Sequence, residues 1–232
     1  MEPSYIVCRG NDSIIKTTFN PAIPTRDCEI AVVGLSTYYS YPNIDNTNNI
    51  ISITGPSDTT IILYDKGCYE VSNLNDRITK EYKWEKGKEA VVIKADPITL
   101  RTHLIIKKGW KVNFPEENSI ANVLGFKTKD YVGPKEFIGE KICNILKVNN
   151  ILVQCDVIAG SSINGRPAPV IFNYSPDVEA GSKIVAEPVT PIYLPVTLDS
   201  IQEFTVWVTD QDNVLLDLQG EDLIITFHIR GK

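Results

Sequence analysis

The sequence predicts an all-β protein built as a sandwich of strands. The chain contains 30 isoleucines and 20 valines against 14 leucines, and β-branched side chains pack well on a pleated sheet but lose rotamer freedom in a helix. Short apolar runs are separated by clusters of Gly, Pro, Asn and Asp, which favour turns. Towards the C-terminus, apolar and polar side chains alternate with a period of two, which places one face of a strand on a core.

The first part of the chain contains five predicted strands and one predicted helix. Turn-forming clusters separate the strands, which span residues 5–9, 14–19, 28–39, 49–54 and 59–64. Within residues 70–82, apolar side chains recur at steps of three and four, at Val71, Leu74, Ile78 and Tyr82. Because this spacing lines one face of a helix, the pattern predicts an amphipathic helix there.

The middle of the chain continues as short strands with a second helix. The predicted strands span residues 90–95, 100–107, 110–114, 145–158, 169–174, 183–187 and 192–198. A short helix over residues 115–124 is indicated by Pro115 at its start and Gly125 as its C-cap. Prolines 188, 191 and 195 surround the last strand and predict that it is an edge strand or an extended arm, because proline donates no hydrogen bond to a sheet.

The C-terminal segment has the clearest strand pattern. Phe204, Val206 and Val208 alternate with outward-facing side chains, residues 210–213 form a predicted turn, and residues 214–216 are predicted to return as a strand. Residues 223–229 alternate in the same way. About a dozen strands at regular spacing, with no Gly/Ser linker and no repeat, predict one sandwich domain over residues 1–232.

Charge and cysteine usage narrow the class of protein. The net charge is −6, which argues against direct nucleic-acid binding, since that affinity depends on clustered Lys and Arg. The local basic runs, at 80–88 and 107–111, are interpreted as solvated faces. Five cysteines are present without a CxxC pair, at positions 8, 28, 68, 143 and 155, and their odd number and wide spacing favour a reducing compartment. Cys28 and Cys155 lie next to or within apolar alternating runs, which predicts that they are buried free thiols. No secretion signal or membrane span is predicted.

No catalytic or metal-binding constellation is recognisable. His103 and His228 lie on alternating strands without a GxSxG, HExxH or phosphate-loop motif, so both are interpreted as structural or surface side chains. Asp210, Asp212 and Asn213 could offer oxygen ligands to calcium, but the glycine and the terminal acid of a calcium loop are missing, which favours an ordinary turn. The sequence predicts a non-enzymatic protein without a metal or a cofactor.

Several segments of the chain resemble one family. These segments are residues 34–44 (GLSTYYSYPNI), 67–71 (GCYEV), 114–126 (FPEENSIANVLGF), and the C-terminal portion from 192–196 (IYLPV) to 220–225 (GEDLII). They resemble the jelly-roll capsid proteins of Polinton (Maverick) elements and the related adintoviruses. Residues 114–126 are also similar to the Leu-Gly segment of adenovirus-type penton proteins.

The resemblance implies a fold, a function and partners. A double jelly roll needs far more than 232 residues, so the length fits a single jelly-roll sandwich with extra strands and one or two short helices. The resemblance then implies the minor, vertex-forming penton protein, a homopentamer set among trimers of the major capsid protein. It also implies a location in the virion, synthesis in the host cytoplasm, and assembly there or in the nucleus.

A closed ring of identical subunits needs two different complementary surfaces on each subunit. Trp207 and Ile224, on the predicted outward faces of two strands, and the tyrosines Tyr38, Tyr39 and Tyr41 are the candidates for these surfaces, since aromatic residues are enriched at interfaces. The alternative is that a second layer of the same chain covers them.

Two other functions remain open from the sequence. The first is a jelly-roll module that binds a carbohydrate or a receptor, including a host-domesticated copy of a viral gene. Its site would contain Trp84, Trp110, Tyr131 and Asn164, because aromatic faces stack on sugars. The second is an enzyme on the same fold, since sandwiches host many functions.

Overall fold

A computed structural model describes residues 4–85 and 87–232 and divides the chain into two compact units. The jelly-roll unit consists of Met1–Tyr41 and Val148–Lys232, and the inserted unit is Pro42–Lys147. Each unit has its own cluster of buried apolar side chains. The single domain predicted over residues 1–232 stays a prediction.

The strands and helices follow the predicted order closely. Three strands precede the inserted unit, namely β1 (Ser4–Gly10), β2 (Ile14–Pro24) and β3 (Cys28–Tyr38). The inserted unit contains β4 (Ile50–Thr54), β5 (Thr59–Leu63), α1 (Val71–Tyr82), β6 (Val91–Ala95), β7 (Arg101–Ile106), β8 (Lys111–Asn113), α2 (Ala121–Leu124), β9 (Asp130–Val132) and β10 (Lys135–Ile142). The remaining strands are β11 (Ile151–Cys155), β12 (Ser162–Ile163), β13 (Arg166–Pro167), β14 (Val170–Tyr174), β15 (Lys183–Ala186), β16 (Leu194–Pro195), β17 (Ser200–Thr209) and β18 (Leu223–Gly231).

The jelly-roll unit consists of two antiparallel sheets. In the first sheet the strand order is β1-β18-β3-β15, and β16 also pairs with β3; in the second sheet it is β14-β11-β17-β2. Along the eight longer strands, the chain changes sheet at every step except from β11 to β14, which are direct neighbours. This alternation is the jelly-roll arrangement, so the predicted fold class is confirmed.

The core of the jelly-roll unit follows from the alternation of β17 and β18. The inward side chains of β17, including Phe204 and Val206, and those of β18, including Phe227 and Ile225, are fully buried. The rings of Phe204 and Phe227 meet edge to face with centroids 5.0 Å apart, which is a favoured aromatic geometry. These contacts join the two sheets face to face.

The inserted unit contains two small sheets and the two helices. Its sheets have the orders β5-β4-β8-β9 and β10-β7-β6. Helix α1 buries Val71, Leu74 and Ile78, as the spacing predicts. The helix predicted over 115–124 is a single turn at its C-terminal end, and Gly125 caps it with a positive φ of 77°.

Two polar side chains join the beginning and the end of the inserted unit. The Asn43 side chain is buried and donates to the carbonyl oxygens of Tyr69 and Ile145 at 2.7 and 2.9 Å. Lys147 donates to Asp45 at 2.9 Å, and the Thr47 backbone N–H donates to the same carboxylate at 2.8 Å. The bonds from Asn43 to Ile145 and from Lys147 to Asp45 each connect residues 102 positions apart in the chain.

The Asp45 carboxylate is expected to stabilise the inserted unit in a pH-dependent way. Burial by itself raises its pKa, but the hydrogen bonds from Thr47 and Lys147 outweigh burial and lower the pKa to about 2. Because the folded-state pKa lies below the ordinary value, this stabilisation is present above pH ~4 and is lost as the pH falls towards 2. We expect Asp45→Asn to lower the free energy of unfolding at pH 7 by about 1–2 kcal/mol.

Urea titrations of the wild type and Asp45→Asn between pH 7 and pH 2 measure this difference. The difference between the two proteins should shrink as the pH falls. Asp58→Asn, which changes an exposed carboxylate of the same unit, is the control and should change stability by less than about 0.5 kcal/mol. A difference for Asp45→Asn that is constant with pH would contradict the assignment.

Candidate functional site

The outer face of the first sheet in the jelly-roll unit carries exposed apolar side chains among polar ones. An antiparallel sheet with one face on the core normally presents polar side chains on the other face. Here β1 presents Tyr5 and Val7, which are 70% and 60% exposed, and β15 presents Val185, which is 57% exposed. Ile224 and Tyr38 lie on the same side of their strands. We call the surface formed by Tyr5, Val7, Tyr38, Val185 and Ile224 the apolar face.

Strand register places the apolar side chains diagonally across the sheet, with polar side chains between them. Ile224 of β18 lies between Arg9 of β1 and Ser36 of β3, and Ser36 is in turn opposite Val185 of β15. These four side chains form one row across the whole sheet. Val7 and Ile224 are diagonal neighbours, as are Tyr38 and Val185. Diagonal neighbours lie about 7–8 Å apart, which is within reach of long side chains.

A polar and aromatic cluster fixes one end of the apolar face. The Tyr193 hydroxyl and His228 Nδ1 are 2.7 Å apart, and the Arg230 guanidinium lies 3.5 Å from the centroid of the Tyr193 ring. Arg230 Nε also donates to Glu29 at 2.6 Å, and the Tyr5 ring centroid is 4.9 Å from that of His228. These contacts hold the segment before β16 against the sheet and give the face a defined shape.

The second sheet carries Trp207 on its own outer face. Trp207 is half-buried and lies between Gln154 of β11 and the exposed Ile14 of β2. Gln154 is buried because the turn after β17 covers it, and its amide donates to Thr209 and to Asn213 at 2.9 and 2.8 Å. The chain itself therefore covers part of this face and leaves the Trp207 and Ile14 region partly open.

The acidic turn after β17 is a structural turn, as predicted. The Asp210 carboxylate accepts hydrogen bonds from the backbone N–H groups of Asp212 and Val214, each at 2.9 Å. Within residues 4–85 and 87–232, no group of three His, Cys, Asp or Glu side chains is placed to hold a metal ion.

The predicted interface residues separate into two sets. Trp207 lies on the outer face of the second sheet, whereas Ile224 and Tyr38 share the outer face of the first sheet. Tyr39 and Tyr41 are not exposed: they are 6% and 5% accessible and belong to the core of the jelly-roll unit. The expectation of exposure was wrong for these two residues. Consecutive side chains of an extended chain point to opposite faces, so Tyr38 at the end of β3 points outward and Tyr39, the next residue, points inward. The Tyr41 ring packs edge to face on that of Tyr39, with centroids 5.3 Å apart.

The four residues predicted for a carbohydrate site do not all come together. Trp84 and Trp110 are in contact in the inserted unit, with ring centroids 5.2 Å apart. Tyr131 is buried in the core of that unit. Asn164 belongs to the jelly-roll unit, in the exposed turn between β12 and β13.

The buried thiols and the histidines occupy structural settings. Burial raises the pKa of the Cys155 thiol to about 12, so this thiol stays protonated at neutral pH. A protonated thiol is a poor nucleophile. His103 Nδ1 lies 2.7 Å from Glu136 on the outer face of β7, and its Nε2 lies 3.8 Å from Asp96. These contacts agree with the interpretation of His103 as a surface side chain.

Comparisons with known proteins identify the fold. No protein-family model matches the chain, and no curated protein is similar to it in sequence. Among solved structures, the mavirus penton protein matches with a TM-score of 0.54 and 10% sequence identity, over 100% of both chains. The fold of this chain is therefore similar to that of a viral penton protein. Neither helix in the described part of the chain is long and apolar enough to cross a membrane.

Proposed function

We propose that this chain is a structural, non-enzymatic capsid subunit that forms the vertices of a virion as a penton-type homopentamer. The observation that carries the proposal is the whole-length similarity of its fold to the mavirus penton protein. The sequence resemblance to capsid proteins of Polinton (Maverick) elements and adintoviruses, found without the structure, supports the same function.

The apolar face supports self-assembly. Complete burial of an exposed valine or isoleucine contributes about 1.5–3 kcal/mol, and Val7, Val185 and Ile224 lie together on this face. A ring of identical subunits needs two complementary surfaces on each subunit. We infer that the apolar face of one subunit contacts the surface around Trp207 and Ile14 of the next, since these surfaces lie on the opposite outer faces of the sandwich.

The proposal extends to partners and location. The homopentamer would be set among trimers of the major capsid protein in the virion, after synthesis in the host cytoplasm and assembly there or in the nucleus. A net charge of −6 makes direct contact with the packaged nucleic acid unfavourable. The role requires no cofactor, because binding between subunits depends on shape and apolar contact.

Mass photometry of the purified full-length chain, followed by electron microscopy, tests the proposal. We expect a particle of five times the 25.9 kDa chain mass and images of a five-fold ring. A matched measurement with added major capsid protein of the same virus should show binding to its trimers. A chain that stays monomeric both at high concentration and with the major capsid protein would contradict the proposed function.

A further inference from the structure

Three loops meet at one end of the inserted unit. The loop after α1 and the loop after β7 are joined where Lys107 N donates to the Ala90 carbonyl oxygen at 2.8 Å. The turn between β4 and β5 reaches the same place, because a Cβ atom added to Gly55 would lie 2.9 Å from the Trp110 ring. The indole therefore lies directly on the Gly55 backbone. Loops that converge on a rigid scaffold commonly carry binding sites.

An aromatic stack occupies the meeting point of these loops. The rings of Tyr82 and Trp84 are stacked with centroids 4.7 Å apart and an interplanar angle of 10°. Trp110 stands nearly perpendicular to both rings, at 5.3 Å from Tyr82 and 5.2 Å from Trp84. The Tyr82 hydroxyl donates to the Ile53 carbonyl oxygen at 2.9 Å. This hydrogen bond attaches the stack to strand β4, and all three rings remain partly exposed.

The end of helix α1 creates this stack. Residues two positions apart on a helix do not face each other. Lys83, however, adopts a left-handed conformation with φ of 52°, and its backbone and that of Trp84 bond back to the last turn of the helix. This reversal brings Trp84 face to face with Tyr82.

The same fold brings together the two basic runs of the sequence. Trp84 lies in the run 80–88 and Trp110 in the run 107–111, so the contact between the two indoles joins them. Lys83, Lys107 and Lys108 are exposed, and none of them forms an ion pair within residues 4–85 and 87–232. These three unpaired cations therefore lie within three residues of an indole of the stack along the chain, in a protein whose net charge is −6.

We propose that this site, formed by Tyr82, Trp84, Trp110, Lys83, Lys107 and Lys108, binds an anionic glycan. The face of a sugar ring packs flat on an indole, and the ammonium groups can pair with the carboxylate or sulfate groups of the sugar. Three lysines are too few for a groove that follows a nucleic-acid backbone, which needs many phosphate contacts. The site does not depend on assembly and goes beyond the structural function proposed above.

Isothermal titration of the full-length chain tests this site with four probes: a heparin-derived sulfated hexasaccharide, 3′-sialyllactose, neutral lactose and oligo-dT. We expect at least one anionic sugar to bind, and the sulfated and sialylated probes distinguish between the two sources of negative charge. Lactose should bind at least about tenfold more weakly, because it lacks the charge. Absence of binding by both anionic sugars, equal binding of lactose, or tighter binding of oligo-dT would each overturn the proposal.

Two sets of variants separate binding from folding. The double variant Lys107→Glu and Lys108→Glu should weaken binding of the anionic sugar at least about tenfold. The double variant Lys127→Glu and Lys141→Glu makes the same change of charge at other exposed positions of the inserted unit and should leave binding within about twofold. Trp84→Ala should also weaken binding, with partial recovery in Trp84→Phe. If the two lysine double variants bind equally well, the proposal is wrong, whatever the oligomeric state of the chain.

Discussion

Replacing Ile224 by aspartate is expected to convert the proposed pentamer into monomers, with the affinity between subunits reduced about a hundredfold or more. Ile224 lies at the centre of the row that crosses the apolar face. In an assembled ring the new carboxylate would be removed from water against an apolar surface, which is strongly destabilising for a charge. The neighbouring Arg9 already forms an ion pair with Asp222. Mass photometry over a range of concentrations measures the change.

The fold of the single subunit should tolerate this substitution. Ile224 is only half-buried in the subunit, so the new carboxylate stays in contact with water as long as the chain is monomeric. Circular dichroism and thermal unfolding should therefore stay close to the wild type. Ile61→Asp is the matched control, because Ile61 is 64% exposed in the inserted unit and lies outside the apolar face. If Ile224→Asp assembles like the control, the apolar face is not part of the interface between subunits.

A mixing experiment tests whether the contact joins two different surfaces. Ile14→Asp places a charge on the opposite outer face, beside Trp207, and should also give monomers. Each variant keeps the surface that the other has lost, so an equimolar mixture should form dimers but no larger ring. Dimers in either variant alone would contradict the head-to-tail arrangement.

Local patterns in the sequence were sufficient to predict most strands and the first helix. The period-two alternation of residues 223–229 corresponds to β18, and the spacing of Val71, Leu74 and Ile78 corresponds to α1. In both cases one face of a single element is buried in a core, so the signal lies within a few consecutive residues. The jelly-roll fold itself required the family resemblance, because period two does not specify which strands pair.

The pairing of strands could not be predicted from local patterns. Residues 214–216 form a short apolar run that predicts a returning strand, but they form only one bridge, between Leu215 and Thr209. The reason is that β17 is paired on both edges, with β11 on one side and β2 on the other. Similarly, β10 was missed because Gly139 lies within it and four of its eight residues are charged, which leaves little apolar alternation. Its Glu136, the partner of His103, was missed with it.

The candidate assembly surface was only partly predicted for a related reason. One outward valine or tyrosine on a strand is ordinary, so Tyr5, Val7 and Val185 gave no signal individually. They become a surface because β1, β18, β3 and β15 are neighbours in one sheet. Ile224 and Trp207 could be identified as outward residues from alternation alone. Which outward residues share a face depends on the topology of the whole unit.

Truncation of the core aromatic Phe227 to alanine is expected to lower the free energy of unfolding by about 3–5 kcal/mol. Its side chain is fully buried and meets Phe204 across the two sheets. The substitution removes the ring and leaves a cavity that the rigid sheets fill only partly. Leu74→Ala in helix α1 of the inserted unit should cost about 2–5 kcal/mol for the same reason, since Leu74 is also fully buried. Urea unfolding measures both losses.

The same pair of variants tests the prediction of a single domain over residues 1–232. In one cooperative domain, either substitution shifts one common transition, because the whole chain unfolds together. The buried clusters that contain Phe227 and Leu74 have no residue in common. The single-domain prediction is contradicted if unfolding shows two transitions. In that case Phe227→Ala would shift the urea midpoint of only one transition, and Leu74→Ala that of only the other. Val189→Ala, at a fully exposed position of the jelly-roll unit, should change neither transition by more than about 0.5 kcal/mol.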